Sequence, residues 1–314
     1  MSAAAAVLAV LTLNVAGPRR VHQGWQTRRA ALAGGLKTES PDIAAFQELW
    51  RSDDADALAA AAGHGHRVQD SGLGLAVTSR RPVLDFASLA LGGGGVLRAG
   101  VDAGGTAVDI YSARLEPDAR AKTLGRLLAL AEFVRAQSKS RPFVLLGDLA
   151  VSSDDKETEL FLDFLGARDL CVSHGDEMCG RTIEDRRVDY ALIPYSSTPP
   201  RETARAAFGG VRVEDDEVRP LSAHFGLAAR LDPHWLKVRL APAPDGRAEA
   251  LATAAVILDE ARADAEASSR DWLPWRATWT ALRARADSAR LASDAELARS
   301  ALARETKPIA PAYD

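Results

Sequence analysis

The chain has 314 residues, 47% of them apolar and 26% charged, with a formal net charge of −4. This suits one large sandwich-type domain, alone or with an extension, and gives enough apolar surface for a core in a soluble chain. The mild acidity argues against a protein that binds duplex nucleic acid non-specifically, because phosphate neutralisation favours a basic excess.

Met1 to Val15 is apolar. It lacks the positive start and cleavage-like break of a signal peptide and reads as a buried first strand, with Ala5 to Asn14 its apolar run. Trp25 to Leu36 has helical spacing. Asp42 to Glu48 follows Pro41 as a second strand. Leu73 to Thr78 and Val83 to Leu91 are strands separated by Arg81-Pro82. Gly92 to Gly95 reads as a turn between Val83–Leu91 and Val96–Val101, and Ala107 to Ala113 continues the sheet. Ala119 to Gln137 is a helix with Leu124, Leu127, Leu128, Ala131 and Val134 on one face. Phe143 to Leu146 is a buried strand opening onto Gly147-Asp148, and Asp155 to Leu165 is a helix. Val188 to Ile193 and Phe225 to Leu231 complete a pattern of many strands and few crossover helices, which predicts packed sheets flanked by helices.

The two cysteines, Cys171 and Cys179, are too few for a disulfide framework and lack companions for a zinc site. They read as reduced thiols of a cytosolic protein; the alternative is one bridge closing the loop Val172 to Met178. No run reaches the roughly 18 apolar residues of a membrane span. Beyond Pro233 the texture changes. Leu240 to Gly246 is a Pro/Ala-rich linker, and 247–305 is rich in Ala, Arg and Glu with helical periodicity. Trp272, Trp275 and Trp279 would share a helix face with Leu282, packing on protein or anchoring at a membrane surface beside Arg276, Arg283 and Arg285.

Short polar sites stand at the ends of the apolar runs: Leu13-Asn14-Val15, Phe46-Gln47-Glu48-Leu49-Trp50, Tyr111-Ser112-Ala113-Arg114-Leu115, Leu146-Gly147-Asp148-Leu149-Ala150, Arg187-Val188-Asp189-Tyr190 and Leu221-Ser222-Ala223-His224-Phe225. Singly each is weak: a Gly-Asp pair is usually a turn, and a strand-end glutamate is usually solvated. Phosphodiester cleavage needs an in-line hydroxide, a sink for charge on the nonbridging oxygens and an oriented base.

In order and spacing these sites resemble the endonuclease/exonuclease/phosphatase superfamily, and within it the neutral sphingomyelinases, over roughly residues 8–231. The second likeness rests also on Asp70-Ser71-Gly72-Leu73-Gly74-Leu75 and Ser79-Arg80-Arg81-Pro82. The resemblance implies an α/β fold, a four-layered sandwich of two packed, mainly antiparallel sheets flanked by helices. The domain would span 1–239, with a C-terminal helical extension over 240–314. It implies Glu48 and Asn14 as ligands of magnesium, Asp148, Asp189 and His224 as catalytic residues, and His224 on the substrate phosphate, where the guanidinium of Arg114 would join it by its own chemistry. It implies a phospholipid or small phosphodiester as ligand, with nucleic acid disfavoured. The chain would be cytoplasmic, with peripheral membrane contact through the tail as an option.

The sequence departs from that pattern. Arg114 stands for a histidine, Ala150 for an asparagine and Ala223 for an aspartate, and Gly94 lies near where a lysine is usual. Without an aspartate at 223, His224 is expected to lack its orienting partner, and without an amide at 150 the water on Asp148 loses a hydrogen bond. Arg114 cannot serve as an acid or base near neutrality; it binds phosphate, or pairs with Glu116 or Asp118 at the surface. The readings that follow are an impaired metal-dependent phosphodiesterase, a pseudoenzyme that binds a phosphorylated ligand or protein partner, and, third, a nuclease.

Overall fold

The structure is a computed structural model. It describes residues 7–232 except 20–22, 119, 140, 174–175, 178, 196–203, 209–211 and 215–217, together with Trp235, Val256 and Ala263. The chain runs β1 (Leu8–Asn14), α1 (Gln23–Glu39), β2 (Ile43–Gln47), α2 (Ser52–Ala62), β3 (His66–Asp70), β4 (Leu75–Ser79), β5 (Val83–Ala90), β6 (Gly94–Asp102), β7 (Ala107–Leu115), α3 (Arg120–Ser138), β8 (Phe143–Asp148) and α4 (Lys156–Leu165). It continues through β9 (Ala167–Asp169), β10 (Val172–Ser173), β11 (Asp176–Glu177), β12 (Asp189–Pro194), β13 (Arg205–Ala207), β14 (Arg212–Glu214), β15 (Val218–Pro220) and β16 (Gly226–Leu231).

Two six-stranded sheets form, in the orders β13-β16-β1-β2-β4-β3 and β5-β6-β7-β8-β12-β9. Strand alternation explains how they stack. Leu8 and Val10 on β1 join Leu97, Ile110, Val144 and Leu146 in the core between the sheets. Their neighbours Leu11 and Leu13 face the other way, with Trp25, Leu32, Leu36 and Leu58 of α1 and α2. On the second sheet Tyr111, Ala113 and Leu145 pack with Leu124, Leu127, Val134 and Phe161 of α3 and α4. The result is four layers: helices, sheet, sheet, helices. Strands with both faces covered are apolar throughout, which is why β1, β2 and β8 read as continuous runs. Each fully buried Leu, Val or Ile side chain contributes about 1.5–3 kcal/mol.

Each sheet holds one parallel pair, β1 with β2 and β7 with β8. Parallel neighbours need a long crossover, supplied by α1 and α3. Both pairs therefore release their carboxyl ends at one end of the sheets. Asn14 lies level with Gln47, and Arg114 with Asp148. Strand β12 runs antiparallel to β8, so it begins at Asp189 where β8 finishes.

The structure differs from the sequence reading at several points. Helix α2 and strands β3, β9 to β11 and β13 to β15 are not among the expected elements. The buried stripe of α2 is Asp54, Ala55, Leu58, Ala59 and Ala62, mostly alanine and so low in contrast, and β3 is a largely polar edge strand. The Gly92–Gly95 turn is shorter, because Gly94 and Gly95 already pair with β7. The expectation of reduced thiols is overturned: Cys171 and Cys179 form a disulfide, with Cα atoms 5.1 Å apart, inside the bridging range. Both sulfurs belong to buried residues packed on the intersheet core. Such bonds persist mainly in oxidising compartments. The expected helices of 247–305, and the setting of Trp272, Trp275 and Trp279, lie outside the described residues.

Thiol titration of the denatured, unreduced chain should detect no free cysteine and, after reduction, both. Reduction should lower stability by about 2–3 kcal/mol, the loop-closure value for so short a loop; free thiols in the oxidised protein would contradict the bridge.

Candidate active site

The carboxyl ends of the two parallel pairs bring most of the expected residues together. Asn14 ends β1. Its Nδ2 donates to Glu48 Oε1 at 3.1 Å and to Asp148 Oδ2 at 3.0 Å, and its Oδ1 accepts the Ala16 amide at 2.9 Å, which fixes the amide's orientation. Glu48 follows β2 with φ +55, in the left-handed region that non-glycine residues seldom occupy. Its carbonyl accepts the Gly17 amide at 3.1 Å, and a Cβ on Gly17 would lie 2.6 Å from that oxygen, so glycine is required for the approach. Trp50 lies across Gly74, where any Cβ would meet its ring at 2.7 Å.

Asp148 ends β8 and also accepts the Ala150 amide, on Oδ1 at 3.0 Å. Burial pushes its carboxyl up to about 6, with the charge of Asp189 adding to the effect; His224, the Asn14 amide and the Ala150 N–H oppose it. Asp189 is fully buried, and its Oδ2 accepts a hydrogen bond from His224 Nδ1 at 2.9 Å. His224 Nε2 lies 3.7 Å from Asp148 Oδ2. Burial works against the imidazolium, but the hydrogen bond and charge of Asp189, then the charges of Asp148 and Glu48, outweigh it and raise the pKa.

This arrangement corrects the expectation for Ala223. Ala223 is exposed, and His224 takes its partner from Asp189 instead. The loop is held by Ser222, whose Oγ donates to the Asn14 carbonyl at 2.6 Å and accepts the His224 amide at 3.2 Å. Thr182 Oγ1 accepts the amides of Val188 and Asp189 at 3.1 and 3.2 Å, and the Thr182 carbonyl accepts the Phe225 amide.

Arg114, at the end of β7, makes the Glu116 pair that one sequence reading expected, but from a side chain only 14% exposed rather than from the open surface. Its Nε donates to Glu48 Oε1 and its Nη1 to Glu116 Oε1, both at 3.2 Å, while Asp118 pairs with Arg126 instead. Gly94 explains the missing lysine: its φ is +129, and a Cβ would lie 2.0 Å from the Arg114 carbonyl. Ala150 has φ +56, a conformation asparagine tolerates better than alanine.

Three buried residues beneath the site were missed by the sequence reading. Gln47 Oε1 accepts from Thr12 Oγ1 at 3.2 Å, Gln47 Nε2 donates to Ser112 Oγ at 3.0 Å, and Ser112 Oγ donates to the Phe46 carbonyl at 3.0 Å. This chain of bonds ties the first sheet to the second. The available signal was a polar residue interrupting each apolar run.

A family model described as Endonuclease/Exonuclease/phosphatase family matches residues 11–294. The chain belongs to that family. It is similar in structure to sphingomyelinase C from Streptomyces griseocarneus, with 18% identity, 72% of this chain and 99% of that one covered and a TM-score of 0.56. It is also similar to D. rerio TDP2 complexed with single strand DNA product, with 18% identity, 71% and 98% covered and a TM-score of 0.58. A beta toxin mutant from Staphylococcus aureus with bound magnesium ions matches at 14% identity, with 71% and 99% covered and a TM-score of 0.56. At these identities the likeness is one of fold. No curated protein matches the chain.

The His224 imidazole should titrate by NMR above 6.5, and Asp189→Asn should lower that value, because it removes both the hydrogen-bond acceptor and the charge. The stability this pair contributes is complete below the unfolded value and is lost as pH rises through the raised folded one. A titration unmoved by Asp189→Asn would contradict the pairing.

Proposed function

We propose that the chain binds the phosphate of a phosphodiester at this site and cleaves it slowly, its ligand being a phospholipid headgroup or a related small diester. The observation that carries this is the convergence of a carboxylate with a raised pKa, a histidine backed by a buried aspartate, and an arginine on two packed sheet ends. In this reading Asp148 takes a proton from the attacking water while the water oxygen bonds to phosphorus and the bond to the ester oxygen breaks, that oxygen taking a proton from solvent as it leaves. His224, kept protonated by Asp189, donates Nε2–H to a nonbridging oxygen, and Arg114 donates to another.

The donor set suits a hard divalent cation. Among the described residues both hydrogen bonds to the Glu48 carboxylate fall on Oε1, and its side chain is 27% exposed. Among the described residues no three His, Cys or acidic side chains form a ready metal cluster. Glu48 would be the carboxylate ligand, and Asn14, whose Nδ2 faces Glu48 while its Oδ1 accepts the Ala16 amide, would have to turn its amide over to serve as the second. One carboxylate with water and substrate oxygens is a usual magnesium set. Magnesium bound there would supply positive charge to a nonbridging oxygen. The domain assigned to this chemistry is 1–239, with 240–314 as an extension, although the family match runs past that boundary to 294. No helix among the described residues is long and apolar enough to cross a membrane.

A second reading, binding without turnover, is favoured by two observations: Arg114 already neutralises Glu48, and Ala150 offers only its backbone amide to Asp148.

Hydrolysis of sphingomyelin and of a chromogenic phosphodiester, with magnesium and with a chelator, separates these readings. Ala150→Asn should raise the magnesium-dependent rate on the order of 10²-fold, the usual worth of an orienting donor. Ala223→Asp should raise it less, since His224 is already partnered. The rate should climb with pH through about 6 as Asp148 ionises, and fall above the raised pKa of His224. A brisk parent activity unaltered by Ala150→Asn would show that other residues do the chemistry.

A further inference from the structure

Glu48 and Arg114 come from different sheets, yet they share a short ion pair at the centre of the site. Their freedom to move differs. The Glu48 backbone is pinned by the Gly17 amide on its carbonyl, by the next residue's amide donating to Gly74 at 2.8 Å, and by Trp50 seated on Gly74. Arg114 reaches the site through a long flexible stem, from a strand end. Its guanidinium lies 5.9 Å from the Trp50 ring centroid and shares its other bond with Glu116, whose side chain is 51% exposed. Trp50 also carries Arg19, 4.2 Å from the ring centroid. Glu48 is thus a fixed carboxylate, while Arg114 is a movable cation with alternatives nearby.

From this geometry we infer that Arg114 acts as an internal counter-ion on Glu48 that a phosphate ester must draw away before a divalent cation can take its place, so that the metal and the phosphodiester bind cooperatively. The inference rests on the metal and phosphate roles proposed above and adds their coupling. The physical reason is competition. A guanidinium at 3.2 Å from Oε1 satisfies the charge that a metal would otherwise satisfy, and two cations cannot crowd one carboxylate without repulsion. A phosphodiester, with one negative charge shared over two nonbridging oxygens, offers Arg114 a bidentate partner in place of its single bonds to Glu48 and Glu116. Once Arg114 turns to it, Glu48 regains a full charge for the cation. Linkage then requires the reverse effect of equal size, the cation strengthening phosphate binding.

Calorimetry on the full chain tests this with magnesium chloride alone, dimethyl phosphate alone and magnesium chloride with saturating dimethyl phosphate. In the parent, dimethyl phosphate should tighten magnesium binding about fivefold or more, the scale of a partly exposed ion pair. Arg114→Gln should bind magnesium alone about fivefold more tightly than the parent, bind dimethyl phosphate more weakly, and lose the coupling. Arg114→Lys, which keeps the charge and controls for folding, should bind magnesium alone much as the parent does. Equal magnesium affinities in the parent and in folded Arg114→Gln, or independent binding of the two ligands to the parent, would overturn the inference. The underlying metal assignment fails separately: magnesium binding that survives Glu48→Gln unchanged would place the cation elsewhere.

Discussion

The Asn14 amide is the point on which the two sheets close. It stands between a carboxylate from each sheet, donating one N–H to Glu48 and the other to Asp148. Without those donors two negative charges would face each other across a mostly buried gap, and burial with the charge of Asp189 already pushes Asp148 up to about 6. One layer below, Thr12, Gln47 and Ser112 repeat the device with neutral groups. The packing of the sandwich is apolar and tolerant of repacking, but these cross-sheet bonds set how the sheet ends meet. They therefore set the distances among Glu48, Asp148 and His224.

Around that link the backbone takes two uncommon conformations. Glu48 and Ala150 both sit at positive φ beside the site, a cost of order 1 kcal/mol or more each that persists only where the surroundings enforce it. At Ala150 the backbone amide reaches Asp148 from that conformation. Arg114 is a permanent cation where the sequence resemblance implies a titratable ring, and a guanidinium suits anion binding and charge competition better than proton transfer.

How much of this was legible in the sequence follows from the physics of each signal. The strand ends bearing Asn14, Glu48, Arg114, Asp148, Asp189 and His224 were legible, because each polar site ends an apolar run that must be buried. Helix α2 was not, since a stripe of alanines has little contrast with its flanks. The His224 partner is not legible, because sequence adjacency points to position 223, whereas β12 starts at Asp189 through a pairing with β8 that sequence distance hides. Cys171 and Cys179 were read from their number rather than their placement, and only the fold shows the two in bridging range. Gln47 and Ser112 were visible as polar breaks in apolar strands, but their meeting across the sheets is a tertiary fact.

The most direct measurement of the central link is the stability of Asn14→Asp as a function of pH, read by chemical denaturation. The change is nearly isosteric, but it removes both N–H donors and sets a third acidic group between Glu48 and Asp148. If the amide joins the sheets, the variant should lose about 3 kcal/mol or more near neutrality, as when a buried charge is left uncompensated. It should recover much of that loss as pH falls towards 5 and the crowded carboxyls share protons. A variant as stable as the parent at pH 7, or equally destabilised at both pH values, would contradict the role given to Asn14.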